Sequence, residues 1–203
     1  MKRTYVYVDG FNLYYRTLRK TKFKWLNLEL LAQSLLDSDN DIQRIRYFTA
    51  PVSGKFDPGV PIRQQAHLRA LGTIPNVTVH LGNFLTRAKM RPLVNPQPGG
   101  PTHVEIWNTE EKGSDVNLAT YLVHDAWRDL FDVAVVFSQD TDLNEPVRIV
   151  RDEIRKSVGV IILDGKAPGK LSTFGSFVRH ITHADLAAAQ FPEIVPFGQR
   201  GNP

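Results

Sequence analysis

Asp9, Asp115 and the close pair Asp140 and Asp142 are spread along a chain of 203 residues, yet each falls where a regular element begins or ends. Carboxylates hold hard divalent cations and exchange protons with water. Asp9 closes a short apolar run and precedes Gly10. Asp140 and Asp142 follow another apolar run, in Ser138-Gln139-Asp140-Thr141-Asp142. Asp115 stands in the first turn of a predicted helix, on the stripe of Leu118, Ala119 and Leu122, and so faces inward. An inward carboxylate without a cation is expensive, and several converging ones more so. Mg²⁺ or Mn²⁺ between them would remove that penalty. One or two such ions could hold a phosphate, activate a water and stabilise a leaving oxygen. Taken singly, each residue has a plainer explanation. Asp9 suits a turn or helix cap, Asp140 or Asp142 a cap for a helix at Leu143, and Asp115 a helix dipole. Asn12 taken alone is a helix-surface amide. The coincidence of positions points to a shared site.

The elements that must bring these residues together alternate between strand and helix. Residues 4–8 (TYVYV) read as a buried strand, and 42–50, 77–82, 133–138 and 158–163 as further strands. Helical patterns cover the stretch after Asp9, residues 26–36, 62–71, 114–128 and 143–156, with Pro146 in a first turn where its missing N–H does little harm. Residues 181–190 read as a short last helix. Residues 86–101, basic and then rich in Pro and Gly, read as an exposed loop, and 103–108 as a short extra strand. This alternation predicts an α/β fold. Its mostly parallel sheet is doubly wound, with helices on both faces, in one domain over residues 1–190 and a tail over 191–203. Ligands of such sheets bind beyond the carboxyl ends of the strands, near a switch in strand order. If the first strand and the strand at 133–138 are both central, Asp9, Asp140 and Asp142 emerge at one edge.

Composition narrows the classes further. The chain is 42% hydrophobic and has no cysteine, which excludes disulfides and thiolate metal sites. No run approaches the roughly 18 apolar residues of a membrane span, and the basic start leads into a strand and not a signal peptide. The expectation is a cytoplasmic protein without a membrane partner. Lys and Arg exceed Asp and Glu by 25 − 21 = 4, an excess compatible with a polyanion.

Three segments together resemble a known family. Residues 5–13 (YVYVDGFNL) are similar to the opening signature of NYN-domain proteins, a branch of the PIN-like nuclease superfamily. Residues 111–119 (EKGSDVNLA) resemble its second signature and residues 137–143 (FSQDTDL) its third, in family order. The resemblance spans about residues 4–190. It implies a Rossmannoid, PIN-like fold and a divalent-metal site for phosphodiester hydrolysis, usually of RNA. By position, Asp9, Asp115, Asp140 and Asp142 match the acidic residues and Asn12 the polar residue after the first strand, while Ser138 would orient a carboxylate. Gln139 stands where many members have Gly, and Thr141 where Ser is commoner; neither change removes an acidic ligand.

Other residues could support such a site. Lys112 would neutralise a phosphate or pair with a site carboxylate, or else belong to a solvated pair with Glu111. Glu145 could be an outer ligand, although a first-turn helical glutamate needs no such role. Arg16, Arg19, Lys20, Lys22 and Lys24, interleaved with Phe23 and Trp25, could grip single-stranded RNA by phosphate contact and base stacking; a solvated surface over two core aromatics is the alternative. Arg87, Lys89 and Arg91 form a second basic group. His180 and His183 lack a third zinc ligand.

The leading expectation is therefore a metal-dependent endoribonuclease, a hydrolase using Mg²⁺ or Mn²⁺. Asp9, Asp140 and Asp142 would hold the metal, with Asp115 as a further ligand or general base. A binding protein on the same fold would show salt-dependent RNA affinity without cleavage. A third reading is an enzyme on a small organic acid or ring compound that has recruited the fold, although no Gly-x-Gly-x-x-Gly fingerprint is present. A homodimer is left open, since Ile194, Val195 and Phe197 could pack on a second subunit or on the domain itself.

Overall fold

In the computed structural model, described for residues 1–203 apart from 56, 164, 166–168 and 197–203, a six-stranded sheet runs through the centre. Its strands are β1 (Lys2–Asp9), β2 (Asn40–Thr49), β3 (Val77–Leu81), β6 (Val133–Phe137), β7 (Ser157–Ile162) and β8 (Phe177–His180), in the order β3-β2-β1-β6-β7-β8. Every neighbouring pair is parallel. The order reverses between β1 and β6, where Val8 stands beside Phe137. The next residues, Asp9 and Ser138, consequently leave the sheet side by side.

β1 alternates strictly. Val6 and Val8 join one core with α2 (Leu28–Leu35) and α6 (His183–Ala188), while Tyr5 and Tyr7 join the other with α4 (Ser114–Trp127) and α5 (Asn144–Arg148). A strand buried on both faces can have apolar side chains in both registers, which is why it reads as a continuous run. α1 (Gly10–Leu13) continues as a π-helical turn over Tyr14–Leu18, and α5 likewise over Ile149–Glu153. α3 (Gly59–Leu71) ends at Gly72. A capping box of Thr182 and Asp185 opens α6.

Two elements differ from expectation. Residues 93–101 are the exposed loop expected, but 86–92 are not: they belong to β4 (Asn83–Pro92), which pairs with β5 (His103–Lys112) in an antiparallel arm outside the main sheet. Neither face of the arm enters the core, so no period-two apolar pattern announced its full length. The short strand expected at 103–108 is the first part of β5. β8, on the sheet edge, was not expected at all; its four residues are only partly covered or exposed. The segment after α6 is tied to the domain: Phe191 N–H donates to Trp25 O at 2.8 Å, and Val195 packs on the core. Ile194 is exposed, and Phe197 lies outside the described residues. Among the described residues, no helix is long and apolar enough to cross a membrane.

Candidate active site

Asp9 is the last residue of the central strand and only 3% exposed. Its Oδ1 accepts from Asn12 N–H at 2.9 Å and caps α1. Its Oδ2 accepts from the Ser138 hydroxyl at 2.9 Å. Burial raises its pKa, the Asn12 and Ser138 hydrogen bonds oppose that, and the charge of Asp140 adds to the rise. α1 can start this close to the sheet because residue 10 is glycine: a Cβ there would lie 2.7 Å from the Tyr47 ring and 2.8 Å from Phe48 O. Burial, and then the charge of Asp9, push the Tyr47 hydroxyl up to about 12.

Ser138 is the hinge of the arrangement. Its buried Oγ also accepts from Asp140 N–H at 3.1 Å, and Asp140 Oδ1 accepts from Asp142 N–H at 3.0 Å, capping the turn Thr141–Leu143. Asn12 Oδ1 accepts from Gln139 N–H at 3.4 Å and from Arg16 Nε–H at 2.8 Å. Gln139 Oε1 accepts from Leu163 N–H at 3.0 Å, so the loop is held between the ends of β1 and β7.

Asp115 enters from α4, after Gly113 at φ 102°, a left-handed turn that favours glycine. Burial pushes its pKa up to about 6, followed by the charges of Asp9, Asp140, Glu111 and Asp142. Five carboxylates therefore share one electrostatic neighbourhood. Glu111 belongs to it as the penultimate residue of β5. It accepts from the backbone N–H and hydroxyl of Ser114 at 3.1 and 2.8 Å. Its place in the group depends on the β4–β5 arm, which sequence patterning had not revealed.

α4 is fixed at its far end by a buried ion pair that the sequence reading missed. Asp125 accepts from Arg46 Nε–H at 2.7 Å and Nη2–H at 3.1 Å, and from the Tyr7 hydroxyl at 2.8 Å. An acidic residue on the stripe of Leu118 and Leu122 was the available signal.

Several candidates take other partners or face solvent. Lys112 pairs with Glu110 at 3.0 Å, and so does Lys89 at 2.5 Å. Glu145 is exposed and paired with Arg148 at 2.6 Å. Lys20, Lys22, Lys24, Arg87 and Arg91 are exposed. Phe23 and Trp25 are not a free stacking surface. Both pack on the core, Trp25 donating its indole N–H to Pro192 O at 2.9 Å and Phe23 standing edge-on to His183.

The donors are all hard oxygens, the chemistry that Mg²⁺ and Mn²⁺ prefer. Among the described residues no group of three acidic or histidine side chains is close enough to form a ready-made cage. A small hard ion that keeps most of its waters needs only one or two direct carboxylates, and crowded like charge around Asp115 is the electrostatic counterpart of such a site. The donor set fits.

The sheet order and an acidic edge at its switch point define a PIN-like α/β protein, and the chain belongs to the NYN domain family, whose model matches residues 3–178. It is 31% identical to the 6-hydroxy-3-succinoylpyridine 3-monooxygenase of Pseudomonas putida, across 96% of this chain and 72% of that protein. Its fold is similar to that of a solved protein of unknown function from Vibrio parahaemolyticus, with TM-score 0.55 and 18% identity, across 90% of this chain and 94% of that one.

Proposed function

We propose that this chain is a metal-dependent endoribonuclease that hydrolyses RNA phosphodiester bonds. The observation that carries the reading is the convergence of Asp9, Asp140, Asp142 and Asp115 at the switch between β1 and β6, with Asp115 pushed up to about 6 by burial and by its acidic neighbours. Asp9, Asp140 and Asp142 would hold Mg²⁺ or Mn²⁺, one or two of them directly and the rest through the waters it keeps. The ion, when bound, supplies charge neutralisation and Lewis acidity at the phosphate. Asp115, kept in its ionised form by the bound cation, would accept the proton of the attacking water. Ser138 and Asn12 hold Asp9 and the loop at 138–142 in place. Arg16, Lys20, Lys22, Lys24, Arg87 and Arg91 contact the RNA backbone. Lys89, Lys112 and Glu145 act at most through their present ion-pair partners.

The test is cleavage of a mixed single-stranded RNA by wild type and Asp140→Asn, with Mn²⁺, with Mg²⁺ and with EDTA. Cleavage by wild type with metal alone supports the reading. RNA binding that salt weakens, with no cleavage, would make the chain a binding protein instead.

The Pseudomonas relative favours a second reading, oxygenation of a pyridine-type ring. It is tested by incubating the protein with 6-hydroxy-3-succinoylpyridine, dioxygen and a reduced nicotinamide or flavin. Loss of the substrate's ultraviolet absorbance would support it, and an unchanged spectrum beside active RNA cleavage would remove it.

A further inference from the structure

Four aromatic rings gather beside the acidic edge, and the core does not use their outer surfaces. Phe11 and Tyr15 lie nearly parallel, 23° between planes and 6.4 Å between centroids. Phe84 meets Phe11 edge-on at 5.4 Å, and Tyr14 meets Tyr15 edge-on at 5.3 Å. Tyr15 is 60% exposed and Tyr14 38%. The cluster is attached to the site at both ends. Phe11 lies between Asp9, two residues before it, and Asn12, while Phe84 pairs across the arm with Glu111. On the side away from the carboxylates the charge is positive. The Arg19 guanidinium lies 5.6 Å from the Tyr15 ring centre, and exposed Lys20 follows.

We infer that Phe11, Tyr15 and Phe84 form a base-stacking platform that restricts the substrate to single-stranded RNA, a base next to the scissile phosphate lying on Tyr15. The inference rests on the ribonuclease reading and gives that site its substrate class. A polyanion approaching five carboxylates is repelled, so its affinity must come from groups around them. Stacking on a flat ring tolerates any base, because each has a π face. Arg19 supplies a phosphate partner next to the rings, which a neutral apolar ligand would not need. A duplex keeps its base faces inside its own stack, so it cannot use the platform. Phe23 and Trp25, the other aromatics set among basic residues, are core residues, which leaves this cluster to stack.

The experiment measures anisotropy of a labelled short single-stranded RNA, the same strand with an abasic position, and its duplex, in EDTA so that nothing is cut. Cleavage kinetics with Mn²⁺ are run in parallel. Tyr15→Ala should weaken single-strand binding by about five- to a hundredfold and raise KM with kcat nearly unchanged. Tyr15→Trp should restore affinity. Trp127→Ala, an 80% exposed aromatic at the other end of α4, should change nothing. Wild type should prefer the single strand to the duplex. Wild-type cleavage with Tyr15→Ala binding at full affinity overturns the platform and leaves the nuclease standing. Wild type that neither binds nor cuts RNA overturns both. Loss of affinity in Tyr15→Ala for 6-hydroxy-3-succinoylpyridine but not for RNA assigns the rings to a small-molecule pocket and overturns the inference.

Discussion

The Ser138 hydroxyl donates to Asp9 Oδ2 at 2.9 Å across the seam between β1 and β6. Asp9 ends β1 and Ser138 directly follows the end of β6, and both are buried. One hydroxyl thereby orients the innermost carboxylate and, through Asp140 N–H, the loop that carries two more.

Ser138→Ala removes that donor and leaves a buried carboxylate oxygen without a partner. Stability should fall by about 1–3 kcal/mol, read by urea unfolding. Mn²⁺ affinity should fall by about tenfold or more, as for other residues that orient a metal ligand, read by titration calorimetry. Unchanged affinity would mean that Asp9 does not bind the ion.

Asp9→Asn and Asp140→Asn remove charge with little change in volume. Both should abolish cleavage while keeping the wild-type circular dichroism and melting behaviour. Neutralising one member of a repelling group relieves strain in the metal-free protein, so its Tm should hold or rise. Collapse of both variants would make these residues structural.

Asp115 gives a pH dependence. Its folded pKa, about 6, lies above the ordinary 3.8, so the folded state favours the protonated form. Its contribution to the metal-free protein is therefore full below about pH 4 and lost as pH rises through 6. A cation reverses this by favouring the ionised form. The increase in Tm on adding Mn²⁺ should be larger at pH 7 than at pH 5. Asp115→Asn should flatten that difference, as thermal melts at the two pH values would reveal.

The Arg46–Asp125 pair predicts a stability effect far from the carboxylates. Asp125→Ala strands a buried guanidinium and the Tyr7 hydroxyl, and should cost about 3–5 kcal/mol. Arg46 and Asp125 replaced together by Met and Leu should recover much of that loss. Chemical denaturation of the single and double variants checks both statements. A double variant as unstable as Asp125→Ala would show that shape, and not the stranded charge, is at fault.

Much of this fold was legible because buried parallel strands carry their signal in every residue. The runs containing Val6, Val135 and Val160 could hardly be anything else, and Asp9 and Asp140 were placed by where those runs stop. The arm carrying Phe84 and Glu111 was illegible for the opposite reason. With both faces outside the core, its apolar alternation is confined to short stretches such as Val104 and Ile106, which marked only part of β5, and cross-strand pairs such as Thr86 with Thr109 appear only once the register is known. β8 is a short edge strand with the same weakness. At residues 20–25 the sequence left two readings open, because a basic surface and a core wall can share one stretch with alternate side chains serving each, and the structure takes the second, with Phe23 and Trp25 as core aromatics.

β1 acquires its neighbours at very different times. β2 follows within the first fifty residues, whereas Ser138 lies 129 positions after Asp9. Closing so long a loop is entropically slow, and during synthesis one side of the central strand waits unpaired until β6 emerges. Chains ending before residue 133 would hold Asp9 and Asp115 but have no seam on which to assemble them. The acidic edge is thus completed late in the life of each nascent molecule, after most of the chain around it has already been made.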